Sequence, residues 1–324
     1  MNTFLQENIG NIYHSPRVLF TFFCILVALI VAKIMVLLFQ IKVKSKEMQN
    51  VSSRITSWWF ICMVIILSFL GGKIGACLLF CGVSALGFWE YLKALKLTSA
   101  PKPLLIASYL FIGLQYGIIY INDYDLFLIF IPLASQIVLG LTLVFMQKIN
   151  NFIQNIGLLH WGLLLTTFCL SHLAFFMNLD NPKTSEAEPL GLITYVLILT
   201  QFNDVAQFIF GKSLGRLKII PRVSPNKTLE GLIGGIVATS IFSYYLGPFL
   251  TPLNAHESIG AGILLSLSGF FGDVFMSSVK RDRQIKDFSN FIPGHGGVLD
   301  RVDSLIIAAP VFFHYYWMFF PGIY

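Results

Sequence analysis

Charged residues are scarce in this chain: they make up 12% of its 324 residues, whereas 56% are hydrophobic. Soluble domains carry about 25% charged residues, so the composition excludes an ordinary soluble fold. The hydrophobic residues form continuous runs of roughly 17 to 25 residues, the length of a membrane-spanning helix. They also lack the alternating pattern of an outer-membrane barrel strand. The sequence therefore predicts an all-α fold, a polytopic membrane bundle.

Cysteine offers neither a metal site nor a disulfide framework. The five cysteines fall within apolar runs, and none stands with histidines at the spacing of a zinc site. Cys77 and Cys81 lie four residues apart on one helix face, where a disulfide would require distortion. We expect all five to be packing residues.

The N-terminus lacks the basic first segment of a signal peptide. Residues 1–16 carry Glu7 but no Lys or Arg, and the apolar run that follows is too long for a signal sequence. We therefore expect this first span to be retained. Ten predicted spans follow one another along the chain, at residues 17–40, 57–71, 73–91, 103–121, 126–145, 152–177, 190–210, 232–250, 258–276 and 305–320.

Positive charge is distributed unevenly across this predicted bundle. If the linker at 41–56 is cytoplasmic and the spans alternate, all but four of the 22 Lys and Arg residues lie on that side. The exceptions are Arg17, Lys33, Lys73 and Lys183. This bias follows the positive-inside rule. It predicts that two polar segments, residues 211–231 and 277–304, both face the cytoplasm and that both termini face away from it.

The second polar segment, residues 277–304, mixes charges and glycines in a way that a plain connector does not need. It reads SSVKRDRQIKDFSNFIPGHGGVLDRVDS. Lys and Arg neutralise phosphoryl oxygens, carboxylates bind divalent cations, and glycines let the backbone approach a ligand. Asp300 and Asp303 lie three residues apart, so a helix from Leu299 onward would place both carboxylates on one face, suited to one metal site.

The first polar segment, residues 211–231, offers complementary chemistry. Asp204 lies about two helical turns inside the seventh span, where an acid marks either a functional site or a structural ion pair with a basic residue of the second polar segment. Ser224, Lys227 and Thr228 precede the eighth span, whose free N–H groups attract phosphate. A basic patch facing anionic lipid is the alternative interpretation of these cations.

These two stretches resemble a known family. The motifs SVKR, KD and PGHGGVLDRVDS, within 278–304, closely resemble the signature of phosphatidate cytidylyltransferases, also called CDP-diacylglycerol synthases. The motifs NDVAQFIFGKSLG and PRVSPNKTLEGLIGG, within 203–235, resemble that family's other polar segment. Most members have a small residue followed by Tyr or Trp where this chain has Gln207 and Phe208. With this departure the sequence resembles a divergent bacterial branch of the family.

The resemblance implies transfer of a cytidylyl group from CTP to phosphatidic acid, giving CDP-diacylglycerol and pyrophosphate, with Mg2+ as cofactor. It implies a multi-pass protein of the bacterial inner membrane whose active site faces the cytoplasm. The expected partners are CTP, phosphatidic acid or a related lipid phosphate, membrane lipids and a second copy of the chain, but no nucleic acid. Residues 181–324 would be the catalytic transmembrane region, and residues 1–180 an N-terminal region of six helices.

The resemblance also implies roles for individual residues. The expected metal ligands are Asp273, Asp287, Asp300 and Asp303. The expected catalytic residues are Lys280, Arg281, Lys286, Asp287, His295, Asp300 and Arg301. The expected substrate-binding residues are Asp204, Ser224, Lys227, Thr228, Gly296 and Gly297. His295 either donates to a phosphate oxygen or orients a carboxylate, and both roles stay open.

Other functions remain as alternatives. A cytidylyltransferase acting on a different lipid phosphate would share the same chemistry. A CTP-dependent lipid kinase of the polyprenol type would transfer the γ-phosphate instead and release CDP. A transporter would also have ten spans and an acid inside one of them, but the charges here gather on one face rather than at the midplane.

Overall fold

The structure, a computed structural model, describes residues 15–42, 46–98, 100–148, 150–179, 189–294 and 296–320. These residues form ten long helices, each long and apolar enough to cross a membrane. The helices are α1 Pro16–Lys42, α2 Lys46–Leu70, α3 Gly72–Ala94, α4 Lys102–Ile121, α5 Tyr124–Phe145, α6 Phe152–Asn178, α7 Pro189–Leu214, α8 Leu229–Leu250, α9 Ala255–Asp282 and α10 Leu299–Phe319. The predicted multi-pass helical bundle with ten spans is confirmed.

Two of the helices contain a π-helical segment. No β-strand occurs in the described ranges. α5 has a π-helical segment at Phe130–Ser135, which includes Pro132, and α6 has one at Leu164–Cys169. A proline lacks the N–H that an α-helical turn requires, which accounts for the first of these. All five cysteines are free.

Several helices extend past the apolar runs that predicted them. α1 continues to Lys42 and α2 begins at Lys46, so the predicted linker at 41–56 is wrong over residues 41–42 and 46–56. α7 continues to Leu214, α9 continues to Asp282, and α10 begins at Leu299. Charged residues such as Lys, Glu and Arg are good helix formers, so they end a hydrophobic run without ending the helix. Hydropathy locates the membrane crossing rather than the helix end.

The last four helices pack most closely, each against the next along the chain. α6 packs against α3 and α10 and is the most enclosed helix, with 67% of its apolar stretch buried. α1 lies at the edge, where 11% of its apolar stretch is buried and its main neighbour is α2. The centre of the bundle is therefore built around α6 and the C-terminal helices.

A buried amide joins three of the C-terminal helices. Asn203 Oδ1 on α7 accepts hydrogen bonds from Ser266 Oγ on α9 (2.6 Å), Gln207 Nε2 (3.1 Å) and Thr239 Oγ1 on α8 (3.3 Å). Its Nδ2 donates to the Ser266 carbonyl oxygen (3.3 Å). Unsatisfied polar groups are costly inside a membrane. The network therefore fixes how α7, α8 and α9 align, and with them the depth of Asp204.

The C-terminal helices begin in different ways. Thr228 caps α8, its Oγ1 accepting from the Gly231 N–H (3.1 Å). α9 begins with a capping box formed by Asn254 and Glu257. α10 follows Val298 and has no side-chain cap from its own neighbourhood. The first amides of a helix lack partners within it, so those of α10 must find an acceptor elsewhere in the fold.

Glycine sets the distance between α9 and α10. A Cβ added at Gly272 would collide with the carbonyl oxygen of Asp303 and lie 3.2 Å from Cα of Ser304. No side chain fits between the two backbones at this point. Asp273, the next residue of α9, lies within electrostatic range of Asp303.

Replacing Gly272 with alanine should therefore destabilise the protein by about 1–3 kcal/mol, the usual cost of overpacking. Gly113 of α4 is the matched control, because a Cβ there meets nothing within 4 Å. Gly113→Ala should be neutral or stabilise by up to roughly 1 kcal/mol, since alanine favours helix. Thermal unfolding of both variants in detergent tests this, and equal melting temperatures would contradict it.

Candidate active site

The two polar segments lie at one end of the C-terminal helices and contact each other directly. Arg281 at the end of α9 donates from Nε to the Val223 carbonyl oxygen (3.0 Å). Lys227 Nζ lies 2.7 Å from Asp273 Oδ2 and 4.4 Å from the centre of the Phe270 ring. The prediction that both segments share one end of the bundle is confirmed.

The first polar segment folds into a short hairpin-like turn. An isolated bridge joins Lys218 to Thr228. The Glu230 carboxylate accepts from the backbone amides of Arg216 (3.0 Å) and Leu217 (3.2 Å). These bonds hold Lys227 over α9. Thr228 is buried and uses its hydroxyl oxygen to cap α8, so its contact with a substrate stays a prediction.

Three carboxylates from three helices approach one another beside this turn. They are Asp204 on α7, Asp273 on α9 and Asp303 on α10, and they lie within electrostatic range of each other. Lys227 pairs with Asp273, and Lys280 Nζ lies 3.9 Å from Asp303 Oδ2. Like charges repel in a half-buried site, so these lysines balance the cluster.

Asp204 is the deepest member of this cluster. Its Oδ2 accepts from Ser304 Oγ (3.0 Å). In the described part of the chain no Lys or Arg lies within ion-pair distance of it, and Arg301 interacts with it only at longer range. Among the described residues the predicted ion pair with a basic residue of the second polar segment is therefore not formed, and a functional role for Asp204 stays a prediction.

Asp300 accepts more hydrogen bonds than Asp204, Asp273 or Asp303 do. Its Oδ1 accepts from Lys280 Nζ (2.8 Å), and its Oδ2 accepts from the backbone amides of Phe288 (2.8 Å) and Gly297 (3.0 Å). It shares Lys280 with Asp303, which confirms that the two carboxylates lie on one face of α10. Direct binding of a metal by Asp300 stays a prediction.

The glycines of the PGHGG motif fit around the protein's own carboxylates. Gly294 and Gly296 have φ of +74° and +80°, a conformation that favours glycine. A Cβ at Gly296 would lie 3.0 Å from Asp300 Oδ2, and one at Gly297 would lie 2.5 Å from Glu90 Oε2. These close contacts explain why residues without a side chain occupy positions 296 and 297. Binding of substrate at either glycine stays a prediction.

The remaining predicted residues lie around this centre. Lys286, Asp287 and Arg281 are exposed at the polar end of the bundle. Asp287 also lies next to Gly296, close to the position that a Cβ at this glycine would occupy. Arg301 has a buried Nε without a hydrogen-bond partner among the described residues. Ser224 lies half-buried in the first polar segment. His295 lies outside the described residues.

Glu90 of α3 is the residue that sequence reasoning missed. It is 1% exposed, and its carboxylate accepts from Ser289 Oγ (2.5 Å), the Val298 amide (3.0 Å) and the Leu299 amide (2.7 Å). It supplies the cap that α10 lacks locally. The signal for it was present in the sequence, because an ionisable residue inside an apolar span indicates a functional or pairing role.

The donor set suits a hard divalent cation. No group of three or more His, Cys, Asp or Glu side chains is arranged to hold a metal within the ranges that the structure describes. Mg2+ is usually held by one or two carboxylates together with substrate phosphates, so a full protein cage is not required. Asp273 and Asp303, both partly exposed, provide such oxygens.

Comparison with known proteins gives one family. A profile described as the cytidylyltransferase family matches residues 52–319. The chain is 41% identical over 266 residues to the Escherichia coli protein named "Uncharacterized protein YnbB", covering 82% of this chain and 87% of that protein. It is 36% identical over 149 residues to the phosphatidate cytidylyltransferase of Staphylococcus aureus, covering 44% of this chain and 56% of that enzyme. It is also 36% identical over 145 residues to the phosphatidate cytidylyltransferase of Haemophilus influenzae, covering 43% of this chain and 50% of that enzyme. The match thus spans about half the length of each of these two named enzymes.

Replacing Asp300 with asparagine should strongly destabilise the protein, because the largely buried Lys280 loses the nearer of its two carboxylate partners and is left with Asp303 at 3.9 Å. Breaking one side of a buried pair costs about 3–5 kcal/mol. Asp282, which pairs with Arg283 and is 66% exposed, is the control for the same chemical change on the same segment. Asp282→Asn should leave the melting temperature in detergent unchanged. Equal effects of the two substitutions would show that Asp300 is not held as described.

Proposed function

Because this chain belongs to the cytidylyltransferase family and is a nucleotidyltransferase, we propose that it transfers the cytidylyl group of CTP to phosphatidic acid. The products are CDP-diacylglycerol and pyrophosphate. The observation that carries this proposal is the meeting of Asp204, Asp273 and Asp303 with Lys227 and Lys280 at one end of the bundle. The names of the two partial relatives support phosphatidic acid as the acceptor.

The reaction needs charge neutralisation more than proton transfer. A phosphate oxygen of the lipid attacks the α-phosphorus of CTP, a new P–O bond forms, and the bond to the β-phosphate oxygen breaks. The bonding electron pair leaves with pyrophosphate. Since the attacking phosphate is already anionic at neutral pH, no general base is required. The protein must bring two polyanions together and stabilise the charge that moves to the leaving group.

Basic residues of both polar segments are placed for this task. Lys227 and Lys280 are held by carboxylates in this structure, and phosphate oxygens are alternative partners for the same ammonium groups. Arg301 contributes a buried guanidinium nitrogen that still lacks a partner in the described chain. We assign phosphate binding to these three residues, with Arg281 and Lys286 at the exposed rim.

Asp273 and Asp303 are the residues that we propose to hold Mg2+, with Asp204 behind them and Asp287 at the rim. When bound, the ion neutralises charge on the nucleotide phosphates and the leaving pyrophosphate. Asp300 has three internal hydrogen bonds, so we assign it to positioning Lys280 and the loop that precedes α10.

We propose that the polar end faces the cytoplasm of a bacterial inner membrane, where CTP is available. The asymmetric distribution of Lys and Arg supports this orientation. In this proposal the acceptor enters from the bilayer. The outer surface of α7 presents Val205 (56% exposed) and Phe208 (66% exposed) close to Asp204 along the helix. A site shared between water and lipid suits one soluble and one membrane-bound substrate.

The product formed from CTP labelled at the γ-phosphate distinguishes the proposed reaction from its main alternative. The purified protein in detergent with Mg2+ and phosphatidic acid should release labelled pyrophosphate. Label in the lipid would instead identify a CTP-dependent lipid kinase. If phosphatidic acid gives no product but another lipid phosphate gives pyrophosphate, the acceptor is wrong and the cytidylyl transfer is right.

Substitution of the proposed metal ligands should change the metal requirement. Asp273→Asn and Asp303→Asn should each lower kcat at least ~100-fold, the range expected when a group that stabilises transition-state charge is removed, and raise the Mg2+ concentration needed for half-maximal rate. Glu257→Gln, at the opposite end of α9, should change neither value. A variant of Asp273 or Asp303 that keeps the wild-type rate and Mg2+ dependence would remove that residue from the site. Asp204→Asn is measured in the same series, and full activity would make Asp204 structural.

A further inference from the structure

We propose that Glu90, in the N-terminal half of the chain, is a positioning residue of the active site. This inference rests on the proposed function, because it assigns to Glu90 the task of fixing the loop and helix start that carry Asp300 and Asp303. Glu90 lies on α3, 199 to 209 residues before the partners that it contacts. The N-terminal helices would then be part of the catalytic structure and not only membrane anchors.

The loop that precedes α10 is closed by two carboxylates, Asp300 and Glu90, which bind both of its ends, at Phe288–Ser289 and at Gly297–Val298. Asp300 joins the two ends of the loop through the amides of Phe288 and Gly297. Glu90 joins the neighbouring positions through the Ser289 hydroxyl and the Val298 amide. The loop is closed internally as well, where the Ile292 amide donates to the Gly296 carbonyl oxygen (2.8 Å). One of the two closing groups comes from outside the catalytic segment.

Glu90 also determines where α10 begins. The helix has no local side-chain cap, and the Glu90 carboxylate accepts from the amides of Val298 and Leu299 at its start. A negative charge at this position is favoured by the helix dipole. Asp300 and Asp303 lie in the first turns of α10, so an error in its first turn would move both carboxylates relative to Lys280.

The far side of the loop is held by α2. Arg54 Nε donates to the Gly294 carbonyl oxygen (3.1 Å), and Ser57 Oγ donates to the Pro293 carbonyl oxygen (2.7 Å). The loop is therefore fixed at its base by α3 and at its tip by α2. Neither helix contributes one of the acids of the proposed metal site, so their effect on the site is exerted through this loop.

Glu90→Gln tests the proposal with almost no change in shape. Glutamine keeps one acceptor oxygen, but its NH2 group would face a backbone N–H or the Ser289 hydroxyl. We expect kcat to fall at least ~10-fold and the Mg2+ concentration at half-maximal rate to rise at least ~10-fold, as when a group that orients the ligands of a metal ion is lost, while KM for CTP changes less. Glu257→Gln is the matched control, because Glu257 also caps a helix but lies at the opposite end of α9.

A readout that does not depend on turnover separates positioning from stability alone. CTP with Mg2+ should raise the melting temperature of the wild type and of Glu257→Gln in detergent, and should raise that of Glu90→Gln much less. If Glu90→Gln melts at a lower temperature but keeps the wild-type kcat, Mg2+ dependence and ligand-induced shift, Glu90 has a structural role only and the proposal is overturned.

Ser289→Ala is the second variant if Glu90→Gln does not fold. It removes one donor to the Glu90 carboxylate and should produce a smaller change in the same direction in the Mg2+ dependence. A wild-type Mg2+ dependence in Ser289→Ala would then overturn the proposal. If the wild type is stabilised by CTP and Mg2+ but releases no pyrophosphate, the proposed reaction fails, and the ligand-induced shift still decides the role of Glu90.

Discussion

The contact between Lys280 and Asp300 is the interaction on which the polar end of the bundle depends. It joins the end of α9 to the start of α10, and both side chains are largely buried. A buried pair of this kind is strongly destabilising when one partner is lost, and it needs further hydrogen bonds to its remaining lone pairs. Asp300 obtains them from the loop amides, so that the ion pair, the loop and the helix start form one unit.

Polar groups at the membrane boundary are positioned by other polar groups that lie deeper. Asn203 fixes α7 against α8 and α9. The next residue, Asp204, is the deepest of the three clustered acids. Gly272 lets α9 and α10 approach closely, and Asp273 and Asp303 lie within electrostatic range of each other. The charges of the site are thus supported by a neutral hydrogen-bond network around Asn203 and by a close backbone contact at Gly272.

Hydropathy and residue chemistry predicted much of this structure. The apolar runs indicated ten spans because a helix must cross the hydrocarbon, and the charge bias placed the two polar segments together. Helix ends were less predictable, as α2 shows by beginning at Lys46. Glu90 stands out as an acid in an apolar span, but its partners, such as Leu299, lie in a distant part of the sequence, and no local pattern identifies them. The reasons for Gly296 and Gly297 were equally hidden, since they depend on the space occupied by other side chains.

The departure of this chain from the common family pattern has a structural explanation at one of its two positions. Gln207 donates to Asn203 and packs against Gly235, so its side-chain amide is part of the buried hydrogen-bond network between α7 and α8. It therefore changes helix packing rather than the chemistry of the acids. Phe208 is different, because it is 66% exposed on the outer face of α7. If the acceptor lipid differs from that of the named relatives, and if it enters from the bilayer as we propose, Phe208 is the departure that would contact it, since its side chain is exposed on α7 close to Asp204 along the helix.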